Sequence, residues 1–256
     1  MGLKFSLCGG CVVKRHFVAA SVLLAMAGLG TAQAAPPAPI SNWTGFYVGV
    51  HAGHSWGSQN WTQTFNNQGN PNDTTSSALP LNGFLGGLQA GYNFQSGPWV
   101  FGLEGDWSWT GAKGCAGNVI FFTYESCSQA NWYATATGRI GYAFDRSLIF
   151  VRGGAAFTQQ KHYSNLLGVI DTQETNNVTS GFIIGGGIEH AITPNWSVKL
   201  EYNFMDFGKK DTPLTYLASG SSPGLQENWD VSYRVHVVKV GINYRFASGA
   251  TAITAK

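Results

Sequence analysis

From about residue 44 the chain alternates apolar and polar side chains with a period of two, in eight separate segments. A strand with one face toward lipid and the other toward a polar interior carries this pattern over about ten residues. The predicted strands are Thr44–Trp56, Asn82–Gln95, Trp99–Thr110, Ala130–Phe144, Leu148–Gln159, Thr179–Ala191, Trp196–Asp206 and Val231–Phe246. The seventh is the clearest: Trp196, Val198, Leu200, Tyr202 and Phe204 oppose Ser197, Lys199, Glu201 and Asn203. The fifth is imperfect, because Leu148 and Phe150 share the inner face with Arg152.

The connections alternate as well. Ser96-Gly97-Pro98, Asp145-Arg146-Ser147 and Thr193-Pro194-Asn195 are short and built from turn-forming residues. The other four, 57–81, 111–129, 161–178 and 207–230, are long and polar. Short turns on one rim and long loops on the other predict an all-β, eight-stranded antiparallel up-and-down transmembrane β-barrel, with periplasmic turns and four long extracellular loops. A soluble sandwich or lipocalin would need a second apolar layer, and the inward positions here carry Glu, Arg, Lys, Gln and Gly. Trp43, Trp56, Trp99, Trp109, Trp132, Trp196 and Tyr244 fall at strand ends, where an interfacial aromatic belt would place them.

Composition supports the membrane reading. Only 11% of residues are charged, against roughly 25% in a soluble domain, too few to cover a water-facing surface. The balance of +2 leaves no basic footprint for nucleic acid. Ahead of the strands, Lys14, Arg15 and His16 precede the apolar run Phe17–Leu29 and the small-x-small site Ala32-Gln33-Ala34. That order predicts a cleaved signal peptide over 1–34, which would remove Cys8 and Cys11. A periplasmic spacer (35–43), the barrel (44–246) and a periplasmic tail (247–256) are expected to follow.

The predicted register turns nine ionisable side chains inward: Glu104, Asp106, Arg139, Arg152, Glu189, Lys199, Glu201, Lys239 and Arg245. An eight-stranded barrel is just wide enough for side chains to fill, and intramembrane charge is costly unless paired. A salt-bridge network closing the lumen is expected, with Arg139 pairing to Glu104 or Asp106 on the third strand. The same residues would otherwise line a narrow porin for small solutes. Cys115 and Cys127 share one long loop, and an oxidising periplasm favours a disulfide between them. A metal pair is the rival, without a nearby His to complete it. His51, His54, His162, His190 and His236 are scattered over several segments, so no catalytic residue, metal site or cofactor site is expected, and His190 and His236 are placed outward. Loop aromatics (Trp61, Phe65, Phe121, Phe122, Tyr124, Tyr216, Trp229) suit surface recognition of a host or other ligand.

The opening Asn42-Trp43-Thr44-Gly45-Phe46-Tyr47-Val48-Gly49 resembles the first strand of the alphaproteobacterial outer-membrane immunogenic proteins, which are small OmpA-like, porin-family barrels. GLQAGYNFQSGPWVFGLEGDWSW (87–109), TATGRIGYAFDRSLIFVRGGAAF (135–157), GGGIEHAITPNWSVKLEYNFMDFG (185–208) and VKVGINYRF (238–246) are similar to the family's later hairpins. The resemblance implies an outer-membrane location, lipid and lipopolysaccharide as surroundings, and no enzymatic residue. It also implies an aromatic insertion signal for the barrel-insertion machinery. Family barrels usually end on that residue. Here Phe246 is followed by Ala247–Lys256, and no peptidoglycan-binding domain is expected after it.

Overall fold

The computed structural model describes residues 42–65, 76–117, 124–166, 169–170, 175–215 and 226–246. The predicted signal peptide and the tail after Phe246 lie outside them. The long strands are β1 (Gly45–Phe65), β2 (Ser76–Ser96), β3 (Trp99–Thr110), β4 (Tyr124–Phe144), β5 (Ser147–Leu166), β6 (Thr175–Ala191), β7 (Trp196–Thr215) and β8 (Gln226–Arg245). After Gly111-Ala112, β3 continues as Lys113–Gly117, and Val169–Ile170 pairs with the end of β5. Each strand pairs antiparallel with its sequence neighbours, and β1 pairs with β8 from Tyr47↔Arg245 upward. Closure leaves no open strand edge in the membrane-spanning part of the described residues, the condition for spanning lipid. At the periplasmic rim Phe246 N–H donates to the Phe46 carbonyl at 2.9 Å. The β2–β3 and β4–β5 turns place Gly97 (φ 58°) and Asp145 (φ 48°) in the left-handed region that tight hairpins require.

The strands run well past their predicted outer ends. Much of the four expected loops is strand, and Trp61, Phe65, Tyr124 and Trp229 lie on strand extensions. Phe121, Phe122 and Tyr216 fall outside the described residues. The reason is a reversal of polarity along unbroken strands. From Phe46 to Trp56, β1 faces outward with exposed Phe46, Val48, Val50 and Trp56, a stretch that matches the roughly 9–11 residues needed to cross lipid. Beyond it the outward side chains are Ser58, Asn60, Asn82, Lys209 and Arg234, all exposed. The inward ones are Leu79, Leu81, Phe207, Val231 and Val235, all buried. Alternation continues, but water has replaced lipid outside, so the apolar side chains change faces. At the usual rise and tilt, these extensions lift the rim roughly 20 Å above the bilayer.

Inward glycines make room for the larger lumen side chains. A Cβ on Gly91 would collide with the Tyr47 ring and approach the Leu103 carbonyl to 2.5 Å, whereas one on the outward Gly138 would meet nothing within 4 Å. Gly91→Ala is therefore expected to destabilise the refolded barrel by about 1–3 kcal/mol. Gly138→Ala should stay within about 0.5 kcal/mol of the parent. Denaturant unfolding in detergent measures both, and equal effects would refute the assigned faces.

Candidate functional site

Among the described residues, the lumen is where the fold concentrates ionisable chemistry. The structure puts all nine of the predicted inward charges inside the barrel, each 6% exposed or less. They come from β3 to β8, and side chains of β1 and β2 complete their hydrogen bonds. Arg152 is the hub. Its Nη1 lies 2.6 Å from Glu201 Oε1 and 2.8 Å from Glu104 Oε1, and its Nη2 donates to Asp106 Oδ2 at 2.7 Å. Lys199 reaches Glu104 from the opposite wall at 2.8 Å and contacts Glu201 at 2.9 Å. Lys239 spans Asp106 at 3.1 Å and Glu201 at 3.3 Å. Neutral donors fill remaining acceptor sites: Tyr47 Oη donates to Glu104 at 2.6 Å, and Thr135 Oγ1 to Asp106 at 2.5 Å.

Arg139 meets Glu104 at 3.4 Å, but its shorter contact is to Glu189 at 3.2 Å, two strands away. Its Nε donates to Asn93 Oδ1 at 2.8 Å. Asp106, the other partner expected for Arg139, is held by Arg152 and Lys239 instead. Arg245 lies apart from the network, donating to the Pro194 carbonyl at 3.1 Å with its guanidinium 4.6 Å from the Trp43 ring centroid.

Two apolar layers enclose the charges. Toward the outside, Leu79, Leu81, Leu85, Tyr133, Ile183, Met205, Phe207, Val231, Tyr233, Val235 and Val237 are all buried in one cluster. Across it the Tyr133 and Tyr233 hydroxyls meet at 2.7 Å. Toward the periplasm, Trp43, Val100, Ala143, Leu148, Phe150 and Ala191 form a second cluster. Trp43 thus corrects its expected place in the belt: it is 1% exposed and lies inside the barrel in the periplasmic cluster. Its backbone N–H donates to Gln95 Oε1 at 2.6 Å, which turns the segment before β1 inward. Leu148 and Phe150, the flaw in the fifth segment's alternation, belong to the same layer. Neither layer is visible under a rule that assigns apolar residues to lipid.

The other belt residues face out. Trp56, Trp99, Trp109 and Trp196 are 41–56% exposed, Trp107 stacks on Trp132, and Trp196 meets Tyr244 edge-on. His190 bonds to Ser147 at 2.9 Å, and His236 to Tyr202 at 2.7 Å, on the outer surface. His51 faces inward and bonds to Ser108 at 2.8 Å. Cys115, on the continuation of β3, lies opposite Cys127 on β4 and is joined to it by a disulfide.

An outer membrane protein β-barrel domain model matches residues 21–246. The chain belongs to this outer-membrane β-barrel family. It is 30% identical over 225 residues to the 31 kDa outer-membrane immunogenic protein of Brucella melitensis, covering 84% of this chain and 89% of the relative. It is also 30% identical over 216 residues to the 22 kDa outer membrane protein of Rhizobium leguminosarum bv. viciae, covering 84% and 83%. Among solved structures, OprG of Pseudomonas aeruginosa superposes with a TM-score of 0.55 at 12% identity, over 82% of this chain and all of that one. The protease OmpT of Escherichia coli superposes at 0.51 and 8%, over 79% and 97%. These two share the fold alone. This member of the family therefore resides in the outer membrane, among lipid and lipopolysaccharide.

Arg152→Met should cost about 3–5 kcal/mol, because it leaves three buried carboxylates short of a cation. Adding Glu201→Gln should recover some of that loss, and additive effects in the double-mutant cycle would rule out coupling. Cys115→Ser with Cys127→Ser should lower stability by about 2–3 kcal/mol, for the loop that the disulfide closes. Coincident unfolding curves for the double variant and the parent would count against any stabilising role.

Proposed function

We propose that this protein is a sealed, non-enzymatic envelope barrel whose role is structural and whose extracellular rim presents recognition loops. The observation that carries this reading is the stacking in the lumen: apolar layer, paired charges, apolar layer. An ion crossing it would have to push through both apolar clusters and break the buried salt bridges between them. The raised rim favours the display role, since polar strand extensions hold the loops clear of the lipid surface. A host or surface ligand would then act at the loops.

Non-enzymatic character is supported by where the tempting groups sit. His51 and Ser108 are enclosed in the lumen, and Asp106 is committed to Arg152 and Lys239. Export through the leader over 1–34 belongs to the same reading, as does Phe246 acting as the insertion signal. Phe246 is half exposed on the outer face, edge-on to Tyr244. An aromatic pair displayed there suits recognition by insertion machinery.

Single-channel recording tests the sealed lumen. Refolded protein in a planar bilayer is expected to remain silent. Steady openings whose amplitude changes in Arg139→Gln or Glu104→Gln would overturn the reading in favour of a narrow porin.

A further inference from the structure

The buried charges do not balance. Among the described residues, five bases and four acids are buried. Arg139, Arg152, Lys199 and Lys239 each contact a carboxylate. Arg245 does not. It is 5% exposed, and its side-chain contacts are the Pro194 carbonyl and the face of Trp43. Glu189 acts on this guanidinium through space without touching it, so among the described residues Arg245 departs from the rule that buried charges are directly paired.

Two donors at the same place are also unsatisfied. Arg245 Nη1 and Trp43 Nε1 are both buried and find no acceptor. The guanidinium lies over the indole, 4.6 Å from the ring centroid, so both donors sit side by side at the periplasmic end. Glu189, which could have served, is already used. Its Oε1 accepts from Ser197 at 2.6 Å and Asn243 at 2.8 Å, and its Oε2 lies 3.2 Å from Arg139. A water could satisfy the two donors, but it would leave the guanidinium with only the through-space influence of Glu189, which is in direct contact with Arg139.

We infer that Trp43 and Arg245 form an oxyanion-binding site at the periplasmic mouth, taking a phosphate or carboxylate group between the guanidinium and the indole N–H. The guanidinium supplies charge and some of its donor fork, the geometry that oxyanions match. Trp43 adds a neutral donor and covers the site. Because Trp43 lies on the short segment ahead of β1, a ligand reaches the pocket from the periplasmic side, beneath the charged layer. The site does not depend on whether the lumen conducts.

Calorimetric titration of the refolded full chain in a non-ionic detergent tests this, with sodium phosphate and sodium acetate as separate probes. One saturable site for at least one probe is expected. Tighter phosphate binding points to free phosphate, and tighter acetate binding to a carboxylate-bearing periplasmic molecule. Arg245→Gln should abolish binding. Trp43→Phe, which keeps a ring but loses the N–H, should weaken it about tenfold, the worth of one hydrogen bond to a charged group. If Arg245→Gln does not refold, Trp43→Phe decides alone. Absence of a saturable site for both probes, or unchanged binding in the variants, overturns the inference. Silent conductance alongside that result would leave the sealed-lumen reading intact.

Discussion

A backbone N–H or C=O in hydrocarbon has no water to bond, so each must find a partner within the protein. Eight strands meet this condition by closing β8 onto β1, and the remaining features follow from that closure. A closed barrel has two faces and no edge. Strand geometry then sends alternate side chains to lipid and to the lumen. In the membrane-spanning region, Val48, Leu88 and Leu200 face lipid while Glu104, Arg152 and Lys199 face the interior.

Eight strands also fix how little space that interior has. Charges cannot be hydrated there as they would be in a wide porin, so they pair. The bore is narrow enough for Lys199 to touch Glu104 across its full diameter. Glycines such as Gly91 allow it by giving up side-chain volume to Tyr47. The result is a filled interior with its ion-paired charges at mid-height between two mostly apolar clusters. Such an interior resembles a soluble protein core more than a conduit, and it shifts attention from transport to the two ends of the barrel.

Those ends differ in kind. The extracellular end is a stalk with polar walls and a mostly apolar core, in which Gln59 donates to Gln160. It is a short water-soluble barrel continuous with a membrane barrel, built from the same eight strands. The periplasmic end is a thin lid, Trp43, resting on an arginine without a carboxylate. The lid is the end at which the inferred ligand would meet this protein.

The amino-acid sequence by itself determined the class, the strand count, the inward parity of the nine charges and the Cys115–Cys127 pair. Period-two patterning encodes parity directly, and parity does not depend on what a strand packs against. The tertiary structure alone decided three things. Strand length was hidden because leaving the bilayer reverses which face is apolar, so Leu79 and Val231 look misplaced under a rule written for lipid. The place of Trp43 was hidden because an aromatic beside a strand end suits a belt and a plug equally, and only the turn of the chain before β1 separates them. Arg139 does meet Glu104 on the adjacent strand, as its position implied, but its second and shorter contact was hidden, because only a narrow lumen brings Glu189, two strands away, within reach.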